Sequence, residues 1–376
     1  MGTQLMGMEF TLPLYLVFGL LVIVAAWDTL SDHTLPRAAV GALMGGALIL
    51  LATFRMAGVG NDDLAYLRMI QEVPSVLECH NLFCDYSYTA FNIEFGFYIF
   101  LSMLAVVGRN SFVLFGFCAL FAVSLNLKSI RYFSPYFALG VLVYFAHFFL
   151  AKELNAMRLG IASGLVFLAA TYLHKKEYAM LAVYLALAMM VHVSSILFMI
   201  PLVLYLLKPS RNFYLLLSVA LLLMASFVDS KLLLRQLDFI GFIGEKIDSY
   251  LTTEKYGYVL PIFNIVNIKN LILIVVGLVC SEKLEARYPT FKLVFCVFYC
   301  ATFLRIVLGD FAILAGRSYA SISMFEYVLL PMLAVHLLGN RRGVVMVSVY
   351  ALGTLYLNLS VHSGWTGDSE VFFNFL

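Results

Sequence analysis

The chain has 376 residues, of which 63% are hydrophobic and 12% are charged, and its mean hydropathy is +0.95. Soluble domains are about half apolar and about a quarter charged, so this composition excludes a soluble globular enzyme. The net charge of +2 excludes a strongly basic surface for nucleic acid. At about 20 residues per span, the chain has room for roughly 11 to 14 transmembrane helices. We therefore predict an all-α polytopic membrane protein with a single transmembrane domain over residues 1–376.

Apolar runs alternate with short polar breaks along the chain. We place spans near residues 12–27, 38–54, 93–108, 111–127, 135–151, 157–173, 178–193, 194–207, 212–228, 262–280, 290–307, 319–338 and 343–358. Two longer polar stretches, 55–92 and 229–261, are predicted to be extracytoplasmic loops. Within the second, apolar residues three and four apart over 229–250 predict an amphipathic helix at the membrane surface.

The distribution of Lys and Arg predicts which loops face the cytoplasm. Every second short loop is basic, namely 174–177, 207–211, 281–288 and 339–343. Cytoplasmic loops are enriched in Lys and Arg, so the alternate set, which includes 152–156 and the turn at His192, faces the outside. We place 55–92 outside as well, because it has an acidic excess and two cysteines. Strict alternation then requires one re-entrant or half helix between residues 93 and 151.

The six cysteines are scattered along the chain without a CxxC motif. Cys79 and Cys84 share one polar loop and could form a disulfide if that loop lies outside, whereas two free thiols are the equal alternative. The other four cysteines lie in apolar runs, where a cysteine usually serves as a small packing residue.

Ionisable residues within spans or at their ends are functional candidates, because each costs free energy in lipid. Four groups stand out: Arg55 with Asp62, Asp63 and Tyr66 of the following loop and Glu94 at its exit; Asn155 with Arg158; His192 with Ser194 and Ser195; and Arg305, Asp310 and Arg317 with Glu326 on the next helix.

Each of these groups also has a purely structural interpretation. A helix-end arginine often reaches the lipid headgroups, and a lone histidine at a helix end is often a satisfied structural residue. Asp62 and Asp63 could form a solvated turn or a helix N-cap. Arg305 could form a structural ion pair with Asp310. The predicted topology, however, places the Arg158, His192 and Arg317 groups on one outer cavity, and this shared location favours a function.

An outer cavity with several guanidinium groups and an imidazole suits a lipid-linked pyrophosphate. Arginine offers planar, paired donors to phosphate and stays charged. An imidazole can act as a general base on a sugar hydroxyl, and the acidic and amide groups of residues 55–94 could hold sugar hydroxyls. The sequence has no HExxH, P-loop or GxGxxG motif. We therefore predict transfer chemistry without a metal or a cofactor.

The same residues form an ordered set of motifs. In chain order they are Arg55 leading into Gly60, Asn61, Asp62, Asp63 and Tyr66; Glu94, Phe95, Gly96 and Phe97; Leu154, Asn155, Ala156, Arg158 and Ala162; Lys175 and Lys176 followed by His192 and Ser194; and Gly316, Arg317 and Tyr319 ahead of Pro331. The set resembles the Wzy-type polysaccharide polymerases, in particular the EpsG-like branch of exopolysaccharide and O-antigen polymerases. Two positions depart from that pattern, since Leu159 stands where the family often has Gln and Phe95 where Pro is usual.

The resemblance implies a multi-pass glycosyltransferase of the GT-C type in the bacterial inner membrane, similar also to O-antigen ligases. Such enzymes move a growing glycan from undecaprenyl pyrophosphate to the sugar end of another lipid-linked repeat unit at the outer face. The implied partners are this lipid-linked oligosaccharide, the membrane lipids and a polysaccharide chain-length regulator.

The resemblance also implies roles for individual residues. Arg158 and Arg317 hold the pyrophosphate, and His192 is the base or its hydrogen-bond partner. The expected substrate contacts are Arg55, Asp62, Asp63, Tyr66, Glu94, Asn155, Arg305 and Glu326.

Other function classes stay open at the level of the sequence. A transporter or flippase of lipid-linked sugars predicts an internal repeat with interrupted helices at matching positions, and the sequence shows no such pairing. Another outer-leaflet enzyme, such as a ligase, a mannosyltransferase or an acyltransferase, is the further alternative. An acyltransferase needs a His–Asp or His–Glu pair, and His192 has no acidic residue close to it in sequence.

Overall fold

The computed structural model describes residues 2–31, 36–79, 93–227 and 259–361. Every regular element in these ranges is helical, which confirms the predicted all-α class. The elements are α1 (Gly2–Leu30), α2 (Arg37–Thr53), α3 (Asp63–Glu72), α4 (Phe95–Val107), α5 (Ser111–Phe133), α6 (Phe137–Tyr144), a π-helical turn (Phe145–Phe149), α7 (Leu150–Lys152), α8 (Met157–Lys175), α9 (Tyr178–Val191), a 3₁₀ turn (Val193–Phe198), α10 (Met199–Leu206), α11 (Arg211–Phe227), α12 (Ile265–Val279), α13 (Ser281–Arg287), α14 (Phe291–Val307), α15 (Ala312–Ile322), a 3₁₀ turn (Ser323–Phe325) and α16 (Glu326–Val361).

The apolar helices identify a membrane protein. By length and composition, four helical stretches within the described ranges can cross a membrane, or five if the bent pair α12–α13 is one span. Six further apolar helices there have 10–17 residues. A full crossing takes about 20 residues, so these shorter helices satisfy the length criterion only in part, and the predicted number of spans stays a prediction. The long helix α16 bends at Gly339, whose φ of +76° suits glycine.

The chain divides into two compact units, which are Met1–Ser195 with Glu326–Leu376, and Ile196–Phe325. The first unit contains α1 to α9 and α16, and the second contains α10 to α15. The single transmembrane domain that we predict over 1–376 stays a prediction. The amphipathic helix predicted over 229–250 lies outside the described residues.

The continuous helical segment α6–α7 lies at the centre of the first unit. Helices α1, α2, α5 and α16 pack around it. Every residue from Phe137 to Leu150 is buried except His147, which is partly exposed. The apolar run that predicted a span near 135–151 is therefore the core of this unit, where helix packing replaces contact with lipid.

Helix α4 has 13 residues, a length that suits the re-entrant or half helix of the predicted topology, which stays a prediction. It begins next to Glu94, which accepts a hydrogen bond from Arg158 near the start of α8. The following helix, α5, begins at that same end of the unit, because the Arg55 guanidinium lies 3.7 Å from the centroid of the Phe115 ring. The same guanidinium lies 3.7 Å from the sulfur of Met157, the first residue of α8. The loop after Arg55 and the 152–156 turn therefore lie at the same end of the unit as the start of α4.

Candidate functional site

A buried ion pair fixes the loop that joins α2 to α3. Nη2 of Arg55 lies 2.8 Å from Oδ1 of Asp63, and Nε lies 3.2 Å from Oδ2. Arg55 also donates to the carbonyl oxygen of Ala52, and the amide of Gly60 donates to Asp63. Both side chains of the pair are 0% exposed. In this structure the pair anchors the loop from its buried side. The contact of Arg55 and Asp63 with a substrate stays a prediction.

The loop docks onto the turn between α7 and α8, so two of the sequence motifs meet. The backbone amide of Asp62 donates to Oδ1 of Asn155 over 3.1 Å. Gly60 lies so close to this turn that a Cβ at its position would come within 1.9 Å of the carbonyl oxygen of Leu154. The Gly-Asn-Asp-Asp and Leu-Asn-Ala motifs therefore form one docked surface, which requires a residue without a side chain at position 60.

Gly60→Ala is expected to lower the free energy of unfolding by about 1–3 kcal/mol, because the added methyl group overlaps a backbone atom that cannot rotate away. Thermal unfolding of the detergent-solubilised protein measures the shift. Gly46→Ala is the matched control, since a Cβ at Gly46 in α2 meets no atom within 4 Å. Equal melting temperatures for the two variants would contradict the docked arrangement.

The centre of the candidate site is the Arg158 cluster, which we define as Tyr66, Glu94, Arg158 and His192. Nη1 of Arg158 donates to Oε2 of Glu94 over 2.7 Å, and Nε donates to the Tyr66 hydroxyl over 3.3 Å. The guanidinium also lies 5.9 Å from the centroids of the Tyr66 and Phe97 rings. The Arg158 side chain remains 22% exposed. The structure thus brings together residues from three predicted motifs around one accessible guanidinium.

His192 joins this cluster through Glu94. It ends α9, and the next residue, Val193, donates its backbone amide to Oε1 of Glu94 over 3.3 Å. The imidazole itself contacts Ser194, whose hydroxyl lies 2.7 Å and whose backbone amide lies 3.3 Å from Nδ1. Because a backbone amide can only donate, Nδ1 is the acceptor nitrogen of this ring.

The electrostatics of the cluster favour an ionised carboxylate beside the guanidinium. Burial alone would raise the pKa of Glu94, but the charge of Arg158 and hydrogen bonds from the backbone hold it below its usual value. Burial raises the pKa of Tyr66, although Arg158 opposes the shift. At neutral pH the site therefore presents a charged arginine, a charged glutamate and a neutral phenol.

The second unit holds the other two predicted arginines. Nε of Arg305 in α14 donates to Oδ1 of Asn267 over 3.1 Å, and its guanidinium lies 5.5 Å from the centroid of the Tyr319 ring. The Tyr319 hydroxyl donates to Asn270 over 3.4 Å. Arg317 lies on α15 and is exposed. The cavity that we predict to contain Arg158, His192 and Arg317 together stays a prediction.

Glu326 has an unexpected partner. Its side chain is 0% exposed, and its Oε1 lies 3.0 Å from Nδ1 of His147. Glu326 is among the predicted substrate contacts, whereas His147 is not among the predicted site residues. The signal was present in the sequence, because an ionisable residue within the apolar run 135–151 is a functional candidate by default.

Further buried charges lie where α7 ends. Lys152 and Glu153 are both buried, and Nζ of Lys152 donates to the hydroxyl of Ser163 over 3.1 Å. Burial raises the pKa of Glu153 to about 7. The sequence analysis did not single out these two residues, because an adjacent lysine and glutamate at a predicted loop resemble a solvated turn.

Two other expectations concern cysteines and metals. Cys79 is disulfide-bonded, whereas Cys84 lies outside the described residues. In the described ranges no group of three His, Cys, Asp or Glu side chains could hold a metal ion.

Comparisons with known proteins agree with the motif pattern. The model of the EpsG family matches residues 39–369. The amylovoran biosynthesis protein AmsC of Erwinia amylovora is 24% identical over 285 residues, which cover 72% of each chain. No solved structure matches. Because the family model spans most of the sequence, including all the residues of the Arg158 cluster, the chain belongs to the EpsG family.

Proposed function

We propose that this protein is a polysaccharide polymerase. It transfers a glycan from undecaprenyl pyrophosphate to the sugar end of another lipid-linked repeat unit, at the outer face of the bacterial inner membrane and without a metal ion. Membership in the EpsG family and the relative named for amylovoran biosynthesis support this class of function. The GT-C type of fold and a chain-length regulator as partner are parts of the same proposal.

The single observation that carries the proposal is the way Arg158 is held. Glu94 and Tyr66 engage Nη1 and Nε, so the Nη2 edge of a partly exposed guanidinium is oriented for another acceptor. A guanidinium binds phosphate oxygens well because its donors lie in one plane and its charge is permanent. The cluster also lies at the end of a bundle of apolar helices, where the headgroup of a lipid-linked substrate is found.

The family resemblance assigns roles to the other residues. Arg317 is exposed and supplies a second cation for the pyrophosphate. Asp62 is exposed next to Asn155 and offers a carboxylate to sugar hydroxyls. Negative charge develops on the pyrophosphate as the glycosidic bond breaks. Such arginines catalyse the transfer because they neutralise this leaving group.

The test is the length distribution of surface and released polysaccharide from the source bacterium. Strains without the gene, with the gene restored and with an Arg158→Ala copy are compared on a gel. We expect the ladder to collapse to a single repeat unit in the deletion strain and in the Arg158→Ala strain. Equal amounts of both proteins in the membrane fraction establish that the variant inserts.

Other outcomes identify other functions. Loss of all surface glycan, with free single-repeat carrier lipid retained, would favour a ligase or a flippase over a polymerase. A normal ladder from Arg158→Ala and from Arg317→Ala would refute the assignment of both arginines. Purified protein in vesicles that contain only lipid-linked repeat units provides the direct assay, because a polymerase lengthens the glycan without any other protein.

A further inference from the structure

The central helix of the first unit carries a π-helical turn, Phe145–Phe149, with His147 in its middle. A π-turn widens the helix and leaves a backbone carbonyl without its normal helical partner, and such turns are frequent at functional sites. Here Asn358 of α16 satisfies the widened turn, because its Nδ2 donates to the carbonyl oxygens of Ala146 over 3.0 Å and of His147 over 3.1 Å. The irregularity is therefore held in place by a dedicated side chain 211 residues away.

The imidazole of His147 is oriented by a buried carboxylate. Nδ1 lies 3.0 Å from Oε1 of Glu326, and the Tyr350 hydroxyl donates to the same oxygen. With Glu326 ionised, its oxygens accept hydrogen bonds and cannot donate them, and Nδ1 of His147 then carries the proton. In the neutral ring, Nε2 then has the lone pair, as in the carboxylate–histidine pairs of hydrolases.

The two histidines at this end of the unit are therefore in opposite tautomers. Nδ1 of His192 accepts from the backbone amide of Ser194, so the proton of a neutral His192 ring lies on Nε2. His192 can donate a hydrogen bond from Nε2 but cannot accept a proton there. His147 has the reverse arrangement and has the carboxylate that stabilises the charged ring once a proton arrives.

His147 is also partly exposed, unlike its neighbours along the helix. It is the one residue of Phe137–Leu150 that is not buried, with 14% of its side chain exposed. It lies five residues before the end of α7, about 7.5 Å along the axis at 1.5 Å per residue. Arg158 follows on the other side of the short turn that ends this helix. His147 and Arg158 therefore flank the same turn, one before it and one after it.

We propose that His147, oriented by Glu326 and Tyr350, is the proton acceptor of the glycosyl transfer, and that His192 is a hydrogen-bond donor. This inference rests on the proposed polymerase function. The acceptor sugar's O–H bond breaks, and its proton moves to Nε2 of His147. The oxygen forms a bond to the anomeric carbon of the donor, and the bond from that carbon to the pyrophosphate breaks. The pyrophosphate leaves with the electron pair, and Glu326 neutralises the imidazolium.

The test uses the purified full-length protein in vesicles with lipid-linked repeat units from the source bacterium. A general base contributes about 10²- to 10⁴-fold, so we expect His147→Ala to lower kcat by at least about 10²-fold while KM stays within about threefold. Added imidazole restores part of the turnover of His147→Ala, because the free base replaces the missing ring. Glu326→Gln, which removes the orienting charge, lowers kcat by about 10- to 100-fold.

Control variants separate this role from a structural one. His174→Ala removes a histidine whose Nδ1 lies 2.8 Å from the Tyr132 hydroxyl at the far end of α8, and we expect it to leave kcat unchanged. Asn358→Ala loosens the π-turn and lowers kcat without rescue by imidazole. If His147→Ala proves poorly folded, His147→Gln keeps a polar group of similar size and is tested in the same way.

The outcomes also distinguish this inference from the proposed function. If wild-type protein makes polymer, and His147→Ala or His147→Gln keeps wild-type kcat, the polymerase assignment stands and the proton-acceptor role is wrong. If His147→Ala loses both kcat and thermal stability, and added imidazole restores no turnover, the proton-acceptor role is likewise wrong. If wild-type protein lengthens no lipid-linked glycan in this assay, both the inference and the proposed function fail.

Discussion

Arg55→Met is expected to lower the free energy of unfolding by about 3–5 kcal/mol, because it leaves the carboxylate of Asp63 buried without its counter-charge. Neither side chain of the pair is exposed, so water cannot replace the lost guanidinium. Methionine retains much of the volume and the apolar contact with the Phe115 ring. The expected result is a large fall in the melting temperature and in the yield of monodisperse protein.

A second variant separates charge from packing. Asp63→Asn in the Arg55→Met background removes the unpaired carboxylate charge but keeps an oxygen that accepts a hydrogen bond from the Gly60 amide. We expect the double variant to be more stable than Arg55→Met alone, since breaking a buried pair costs more than replacing it.

An exposed ion pair of similar geometry provides the control. Arg109 lies 2.8 Å from Glu78, but the two side chains are 35% and 59% exposed. Arg109→Met is therefore expected to cost less than about 1 kcal/mol. If Arg55→Met and Arg109→Met lower the free energy of unfolding by equal amounts, burial of the Arg55–Asp63 pair is not what stabilises the loop.

The sequence predicted the helices well because apolar runs and their polar breaks are local properties. It also required a re-entrant or half helix between residues 93 and 151; the 13-residue α4 has a suitable length, and the topology stays a prediction. The meeting of Asp62 with Asn155, and of Glu94 with Arg158, followed from motifs that share one predicted side of the membrane. The side of the membrane on which the 55–92 loop lies, and the place of Arg317 beside Arg158, stay predictions.

The contacts of individual side chains could not be predicted in the same way. The burial of the Arg55–Asp63 pair depends on how α2, α3 and α5 pack, which no single segment encodes. His147 and Glu326 are 179 residues apart. Their pairing depends on the packing of α16 against the π-turn, so neither the partner nor the tautomer of His147 could be read from the sequence.

Arg158→Lys is the prediction with the largest expected effect on activity. Lysine keeps the positive charge, but its ammonium is a single point and cannot engage Glu94, Tyr66 and a phosphate in one plane. In the structure Nη1 and Nε hold the guanidinium at 2.7 and 3.3 Å from these two partners. We expect kcat/KM for lipid-linked repeat units to fall by at least about 10²-fold, the usual cost of one preorganised donor to a developing charge.

Glu94→Gln tests whether the orientation of Arg158 matters as well as its presence. Glutamine keeps one acceptor oxygen, which can serve either Val193 or the guanidinium, places an NH2 donor opposite the other, and removes the carboxylate charge. We expect a smaller loss than for Arg158→Lys, expressed in kcat more than in KM, because the ground-state pyrophosphate still finds a full cation. Arg109→Lys, the same substitution at an arginine that also pairs with a glutamate, is expected to leave kcat/KM unchanged. If Arg158→Lys keeps wild-type kcat/KM whereas Arg158→Ala loses it, the charge alone acts on the pyrophosphate. The planar geometry that Glu94 and Tyr66 impose would then have no part in catalysis.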